Sequence, residues 1–143
     1  MSTHQINVFV SHSWAYSTEY STLESWIFNE RWSVGQASLD FRNYSVPKND
    51  PIHNANSDAA LLTAIKRQMQ LCHVIVIPLG MYTHYSKWIG KEIEAAAAWG
   101  KPILGVIPRG QQRIPDVVSS RARETVGWNK ESVIGGIWRA FRG

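Results

Sequence analysis

The stretch HVIVIP, residues 73–78, decides the fold class of this chain. Its central residues 74–77 are all β-branched and apolar, without the polar alternation of a strand that has one face in water. A second run of the same kind, PILGVI, occupies residues 102–107. Continuous apolar runs of this length are typical of parallel strands that are buried on both faces. The two runs therefore predict the centre of a parallel sheet.

Three weaker runs, separated by segments of helical period, extend this pattern along the chain. They are INVFVS (6–11), QASLDF (36–41) and ETVGW (124–128). Strands that alternate with helices form parallel sheets covered on both faces. The sequence therefore predicts an α/β fold with a five-stranded parallel sheet and helices on both faces. Its length of 143 residues predicts a single domain spanning residues 1–143.

Helix ends are marked by capping residues. Gly100 and Pro102 end the third predicted helix in the manner of a C′ glycine followed by a stop. Asn129 is placed to cap the last helix, whose interior contains Gly135 and Gly136, each expected to cost about 1 kcal/mol relative to Ala.

Cys72, just before a buried run, is predicted to be a small buried side chain rather than a reactive thiol.

Composition and charge exclude several classes of protein. The net charge is +4 and the pI about 9.4, but the basic residues are dispersed and form no nucleic-acid motif. No apolar segment reaches the roughly 20 residues that a membrane helix needs, and the start of the chain does not resemble a secretory signal. The five histidines and single cysteine fall at no metal-binding spacing. We expect a cytoplasmic protein without metal, nucleic acid or membrane partners.

Polar and aromatic residues cluster after the predicted strands. Because ligand crevices in open parallel sheets form outside the carboxyl ends of the strands, these residues are candidates to surround one cleft. The long connection at 42–56 also leaves this edge, and loops of that length are usually functional. The candidates are Ser11, His12, Trp14, Asp40, Tyr44, Ser45 and Trp88.

One carboxylate is constrained by the helix that carries it. In SKWIGKEIEAAAAWGKP, residues 86–102, Trp88 and Glu92 lie one turn apart on the same face. With Ile93 facing the sheet and Glu94 facing solvent, Glu92 leans back towards the crevice. Two interpretations stay open from spacing alone. Glu92 is either a solvated helix carboxylate or, beside an aromatic ring, a group suited to cleavage at an anomeric carbon.

Several of these stretches resemble the Toll/interleukin-1 receptor (TIR) domains, in particular the bacterial TIR-like branch typified by Thoeris antiphage defence. NVFVSHSW resembles the first strand of the family, and SLDFRNYSVPKNDPI occupies the place of its second strand and BB loop. VIVIPLGMYTHYSKW resembles the third strand with its loop, and KWIGKEIEAAAAWGKPILGVIP resembles the W-C-x-x-E-L box with the following strand. The resemblance implies a flavodoxin-like TIR fold.

The resemblance also implies an activity, with Glu92 at the position of the catalytic glutamate. TIR-like enzymes cleave NAD, as substrate and without a further cofactor, at the nicotinamide-ribose bond, giving ADP-ribose or a cyclic or modified ADP-ribose signal. Residues 11, 12, 14, 40, 44, 45 and 88 would line the nucleotide site. Self-association through residues 42–56 and a separate downstream effector would be expected. The alternatives are a non-catalytic self-association module and a nucleoside or nucleotide N-glycosidase.

Overall fold

The computed structural model describes residues 2–11, 18–44, 58–78, 93–107 and 121–143. The strands within these ranges are β1 (Ser2–Val10), β2 (Trp32–Val34), β3 (Ala37–Asn43), β4 (Val74–Pro78), β5 (Ile103–Ile107) and β6 (Glu124–Gly127). The helices are α1 (Thr18–Phe28), α2 (Asp58–Gln70), α3 (residues 93–98 of the described chain) and α4 (Lys130–Arg142). Each of the five strands predicted from the sequence is present.

The sheet has the order β2-β3-β1-β4-β5-β6. Four of its five pairings are parallel, and the pairing of β2 with β3 is antiparallel. Counting only the parallel strands along the chain, the order is 2-1-3-4-5, which is that of flavodoxin-like folds. The α/β fold class predicted from the sequence is therefore confirmed.

The additional strand, β2, corrects the prediction of a purely parallel, five-stranded sheet. β2 is only three residues long and pairs Trp32 with Leu39 and Val34 with Ala37. The two-residue loop between β2 and β3 begins with Gly35 at φ +61°, a conformation that favours glycine and suits a tight hairpin. A three-residue edge strand has too little periodicity to stand out in the sequence, and its pairing with β3 defines it instead.

The core lies on both faces of the sheet, as the continuous apolar runs predicted. All five residues of β4 are buried, as are the first four of β5. On one face, alternate strand residues such as Val8, Val76 and Val106 pack with Leu23 and Ile27 of α1 and with the apolar stripe of α4. The intervening residues point to the opposite face. That face is equally buried, and α2 and α3 supply buried Ile65, Met69, Ile93 and Ala96.

Two helix ends are built as their capping residues predicted. Gly100 has φ +68°, its N–H donates to the carbonyl of Ala97 at 3.1 Å, and the N–H of Lys101 donates to the carbonyl of Ala96 at 2.8 Å. This pair of bonds is a Schellman motif, which ends α3 and turns the chain into β5. At the start of α4, the side chain of Asn129 accepts a hydrogen bond from the N–H of Ser132 at 3.0 Å.

None of the helices in the described part of the chain is long and apolar enough to cross a membrane.

Candidate functional site

The carboxyl ends of β1 and β4 form the centre of the candidate site. β1 lies between β3 and β4, and at this point the connection that leaves β1 leads towards β3 while the connection that leaves β4 leads the other way, towards β5. In flavodoxin-like sheets such a switch point leaves a crevice beyond the strand ends. Ser11 is the first residue after β1, and its N–H donates to the carbonyl of Val76 in β4 at 2.9 Å. This bond fixes Ser11 at the switch point.

The Ser11 hydroxyl is buried and has no hydrogen-bond partner among the described residues. Ser11 is 0% exposed, and its Oγ makes no hydrogen bond among the residues that the structure describes. A buried hydroxyl without a partner costs roughly 1 to 3 kcal/mol, and such groups in native proteins generally have a functional or structural reason. Because Ser11 is 0% exposed, a ligand would supply the missing partner only after the atoms that cover the hydroxyl move aside. The hydroxyl could then both donate and accept.

Tyr44 lies at the same carboxyl edge of the sheet as Ser11. It follows β3, and its N–H donates to the carbonyl of Val8 in β1 at 2.9 Å. Tyr44 therefore extends β3 alongside the end of β1, and continuing the register pairs it with Phe9, two residues before Ser11. Its side chain is half-buried. Of the predicted lining residues, Ser11 and Tyr44 are the two that the described structure places at this edge.

Asp40 lies away from that edge. It pairs with Gln5 in the register of β1 and β3, and Gln5 precedes Ser11 by six residues, which corresponds to about 20 Å along a strand. Its carboxylate accepts hydrogen bonds from the side chain of Arg42, with the charged atoms 3.0 Å apart in an exposed pair. The geometry thus gives Asp40 a surface ion pair, and we leave it out of the proposed site.

The two residues that follow Glu92 have the burial predicted for their helix. Ile93, the next residue, is 1% exposed and belongs to the core, while Glu94 is exposed to solvent. Both were expected on a helix that turns one face to the sheet. The remaining candidates lie outside the described residues: His12, Trp14, Ser45, Trp88 and Glu92, together with residues 45–56 of the long connection.

Other reactive groups in the described part of the chain lie apart from this edge. Cys72 is fully buried just before β4, and burial raises the pKa of its thiol to about 12. The burial predicted for Cys72 is therefore confirmed. His73 next to it is held by two hydrogen bonds with the backbone of Asn7. Within the described ranges, no group of three or more His, Cys, Asp or Glu side chains could hold a metal ion.

The sequence identified Ser11 as a candidate by its position after a strand, but it did not predict the burial of its hydroxyl. Serine after a strand is common in turns. Its full burial with an unsatisfied hydroxyl depends on β4 lying next to β1, a pairing of residues 66 positions apart. A pattern within one segment carries no information about such a neighbour.

Comparison with protein families identifies a TIR-like domain. The model of the TIR-like domain of the Thoeris protein ThsB covers residues 9–113, from the end of β1 through Ser11, Tyr44 and Glu92 to beyond β5. A comparison with curated proteins found no match. The flavodoxin-like strand order of the sheet and the family match, which covers more than half of the chain, support the same assignment. The chain belongs to the TIR-like domain family of the Thoeris antiphage-defence protein ThsB.

Proposed function

We propose that this protein cleaves NAD at the bond between nicotinamide and ribose, with Glu92 as the catalytic carboxylate. The observation that carries the proposal is the buried, unpartnered hydroxyl of Ser11 at the switch point of the sheet, within the part of the chain that the structure describes. A buried polar group of this kind needs an explanation, and a ligand that reaches Ser11 once the atoms covering it move aside would provide one. Family membership and the resemblance of the Glu92 segment supply the identity of that ligand.

The chemistry needs only one carboxylate. In the reaction the C–N glycosidic bond breaks, the bonding electron pair leaves with the ring, and the ribosyl carbon becomes oxocarbenium-like. The nicotinamide of NAD already carries a positive charge, so it departs as a neutral molecule and needs no proton from a general acid. Water then adds to the ribosyl carbon and loses a proton, giving ADP-ribose, or a nucleophile within the same nucleotide closes a ring.

Glu92 would stabilise the positive charge on the ribose or hold its hydroxyl groups. Trp88, four positions earlier in the sequence, would stack on a ring of the nucleotide. Ser11 would bind a polar atom of the substrate, and Tyr44 would flank it from β3. His12, Trp14 and Ser45 are further lining candidates from the resemblance. A separate effector that reads the product, and self-association through residues 42–56, belong to the same proposal.

The test compares two glutamates that are two positions apart in the sequence, Glu92 and Glu94. Purified protein is incubated with NAD at high concentration, with and without a crowding agent, and nicotinamide release is followed by chromatography. We expect release by the wild type and by Glu94→Gln, because Glu94 is exposed, and none above background by Glu92→Gln. Equal release by both variants would remove Glu92 from its role. Release of bases from nucleosides but not of nicotinamide from NAD would favour the N-glycosidase.

A second comparison tests the Ser11 hydroxyl. Because Ser11 Oγ is buried without a partner in the described structure, Ser11→Ala should leave the free energy of unfolding unchanged or raise it by about 1 kcal/mol. The same change should raise KM for NAD or lower kcat. Ser33→Ala, at an exposed position of β2, is the control and should change neither. Loss of stability in Ser11→Ala with normal kinetics would identify Ser11 as structural.

A further inference from the structure

A basic and apolar surface lies at the amino end of β4, opposite the candidate site. We call it the amino-edge surface and define it as residues 71–73, 99–101, 123–124 and 138–142, together with His4. These residues belong to the end of α2, the end of α3, the starts of β4 and β6, and the end of α4. β4 is five residues long, so about 17 Å of strand separates this surface from the carboxyl edge.

Two large apolar side chains on this surface are exposed. Leu71 is 53% exposed and Trp99 47% exposed. Each follows the last residues of a helix, α2 and α3 respectively. The two helix ends are close together, because the ammonium group of Lys101 donates to the carbonyl of Gln70 at 3.1 Å. Leu71 and Trp99 therefore lie at neighbouring helix ends.

Aromatic rings lie on the same surface, from β4 to α4. The ring centroids of His73 and Phe141 are 5.2 Å apart, and those of His4 and Trp138 are 5.0 Å apart. Phe141 also stacks on Trp138 at 6.0 Å, and both are half-buried. The side chain of Arg142 lies over the Trp138 ring at 5.5 Å. The surface thus also carries an aromatic cluster bordered by a cation.

The charge of the surface is positive. Its four cations are Lys101, Arg123, Arg139 and Arg142, and its one acid is Glu124, which bonds Arg139 in a bidentate pair. Four minus one leaves +3. The carboxyl ends of α2, α3 and α4 contribute about −0.5 each, which offsets only half of that charge. Patches of exposed Trp and Leu beside Arg have the composition of protein-binding surfaces.

We propose that the amino-edge surface binds a segment of a partner protein in which Asp or Glu alternates with apolar side chains. The apolar residues of the partner would cover Leu71 and Trp99, and its carboxylates would meet Lys101 and the arginines of α4. A symmetric contact with the same surface of a second copy does not fit, because each positively charged surface would face like charge. Binding here would leave the carboxyl edge open.

The probe is a fluorescein-labelled synthetic peptide that alternates Glu with Leu and Phe, measured by fluorescence anisotropy at low and moderate salt. We expect binding that weakens with salt. Its affinity should fall about tenfold for Leu71→Ser combined with Trp99→Ser, and by a similar factor for Lys101→Glu. Arg31→Glu, an exposed charge reversal elsewhere, is the control. Circular dichroism of each variant verifies the fold.

Four results would overturn the proposal. They are no binding of the acidic peptide, equal binding of a peptide with Lys in place of Glu, equal affinity in all the variants, and tighter binding of a labelled single-stranded oligonucleotide. Nicotinamide release measured in the same variants separates this proposal from the previous one. If both proposals are correct, the variants should lose peptide binding while their nicotinamide release stays unchanged.

Discussion

The two adjacent glycines of α4 respond in opposite ways to the same substitution. A Cβ added at Gly136 would lie 2.8 Å from Cδ1 and 3.1 Å from Cδ2 of Leu104, and 3.3 Å from Cγ1 of Val126. Leu104 is 0% exposed, so it has nowhere to move. A Cβ added at Gly135 would meet only the guanidinium of Arg139, at 3.1 Å, and that exposed end of a flexible chain can shift.

The magnitudes follow from two opposing effects. Replacing a helical glycine with alanine stabilises a helix by about 0.8 to 1 kcal/mol. Overpacking a well-filled core costs about 1 to 3 kcal/mol. Gly135→Ala should therefore stabilise the protein by about 0.5 to 1 kcal/mol, after a small loss for the displaced Arg139. Gly136→Ala should destabilise it by up to about 2 kcal/mol, so the two variants should differ by about 1 to 3 kcal/mol.

Urea unfolding measures this difference directly. With a denaturant slope of about 2 kcal/mol/M, the midpoints of the two variants should differ by about 0.5 to 1.5 M, with the slope unchanged. A double-mutant cycle tests the cause. Leu104→Val, which removes both clashing Cδ atoms, should cost about 1 kcal/mol in the wild-type background and less or nothing in the Gly136→Ala background. Equal stability of Gly135→Ala and Gly136→Ala would refute the reasoning, as would a cycle without coupling.

Two further predictions concern the residues before β4. Burial, and secondarily the positive charge of Lys101, lowers the pKa of His73 below 6.5, and its Nδ1 accepts the N–H of Asn7 at 2.9 Å. The unfolded chain then binds the proton more readily, so His73 stabilises the fold fully above about pH 6.5 and less as pH falls. The stability difference between wild type and His73→Asn should shrink from about pH 8 to about pH 5, and a constant difference would contradict this. Burial raises the pKa of Cys72 to about 12, and its thiol donates to the carbonyl of Gln68 at 3.2 Å. A thiol-specific disulfide reagent should therefore label native protein slowly and urea-unfolded protein at once, whereas rapid native labelling would show that the site opens.

Much of the fold could be predicted because its determinants are local. The continuous apolar runs of β4 and β5 identify strands buried on both faces wherever they lie in a chain. Gly100 and Asn129 end and begin their helices through bonds to residues at most five positions away. Cys72 is a small side chain shortly before the buried strand β4, a position that predicts burial. These features do not depend on which other strands or helices pack against the segment, so the sequence pattern of the segment is sufficient to predict them.

The candidate site was predicted in part, for a related reason. Residues that directly follow a strand, such as Ser11 and Tyr44, reach the carboxyl edge because each strand carries them there. Asp40 also stands near the end of a predicted run, but β3 continues to Asn43 and its register with β1 places Asp40 opposite Gln5. A strand boundary misplaced by two residues, together with an unknown register, was enough to misplace that side chain.

The sequence by itself determined the α/β class, the buried central strands and the helix ends, since each follows from residue types repeated or capped within a few positions. Only the tertiary structure decided the antiparallel edge strand β2, the isolation of the Ser11 hydroxyl among the described residues and the different surroundings of Gly135 and Gly136. It also placed the cations of α4, Arg123 and Lys101 on the same surface as Leu71 and Trp99. Each of these depends on which distant residues become neighbours, and pairings across the sheet, not local propensity, set those neighbours.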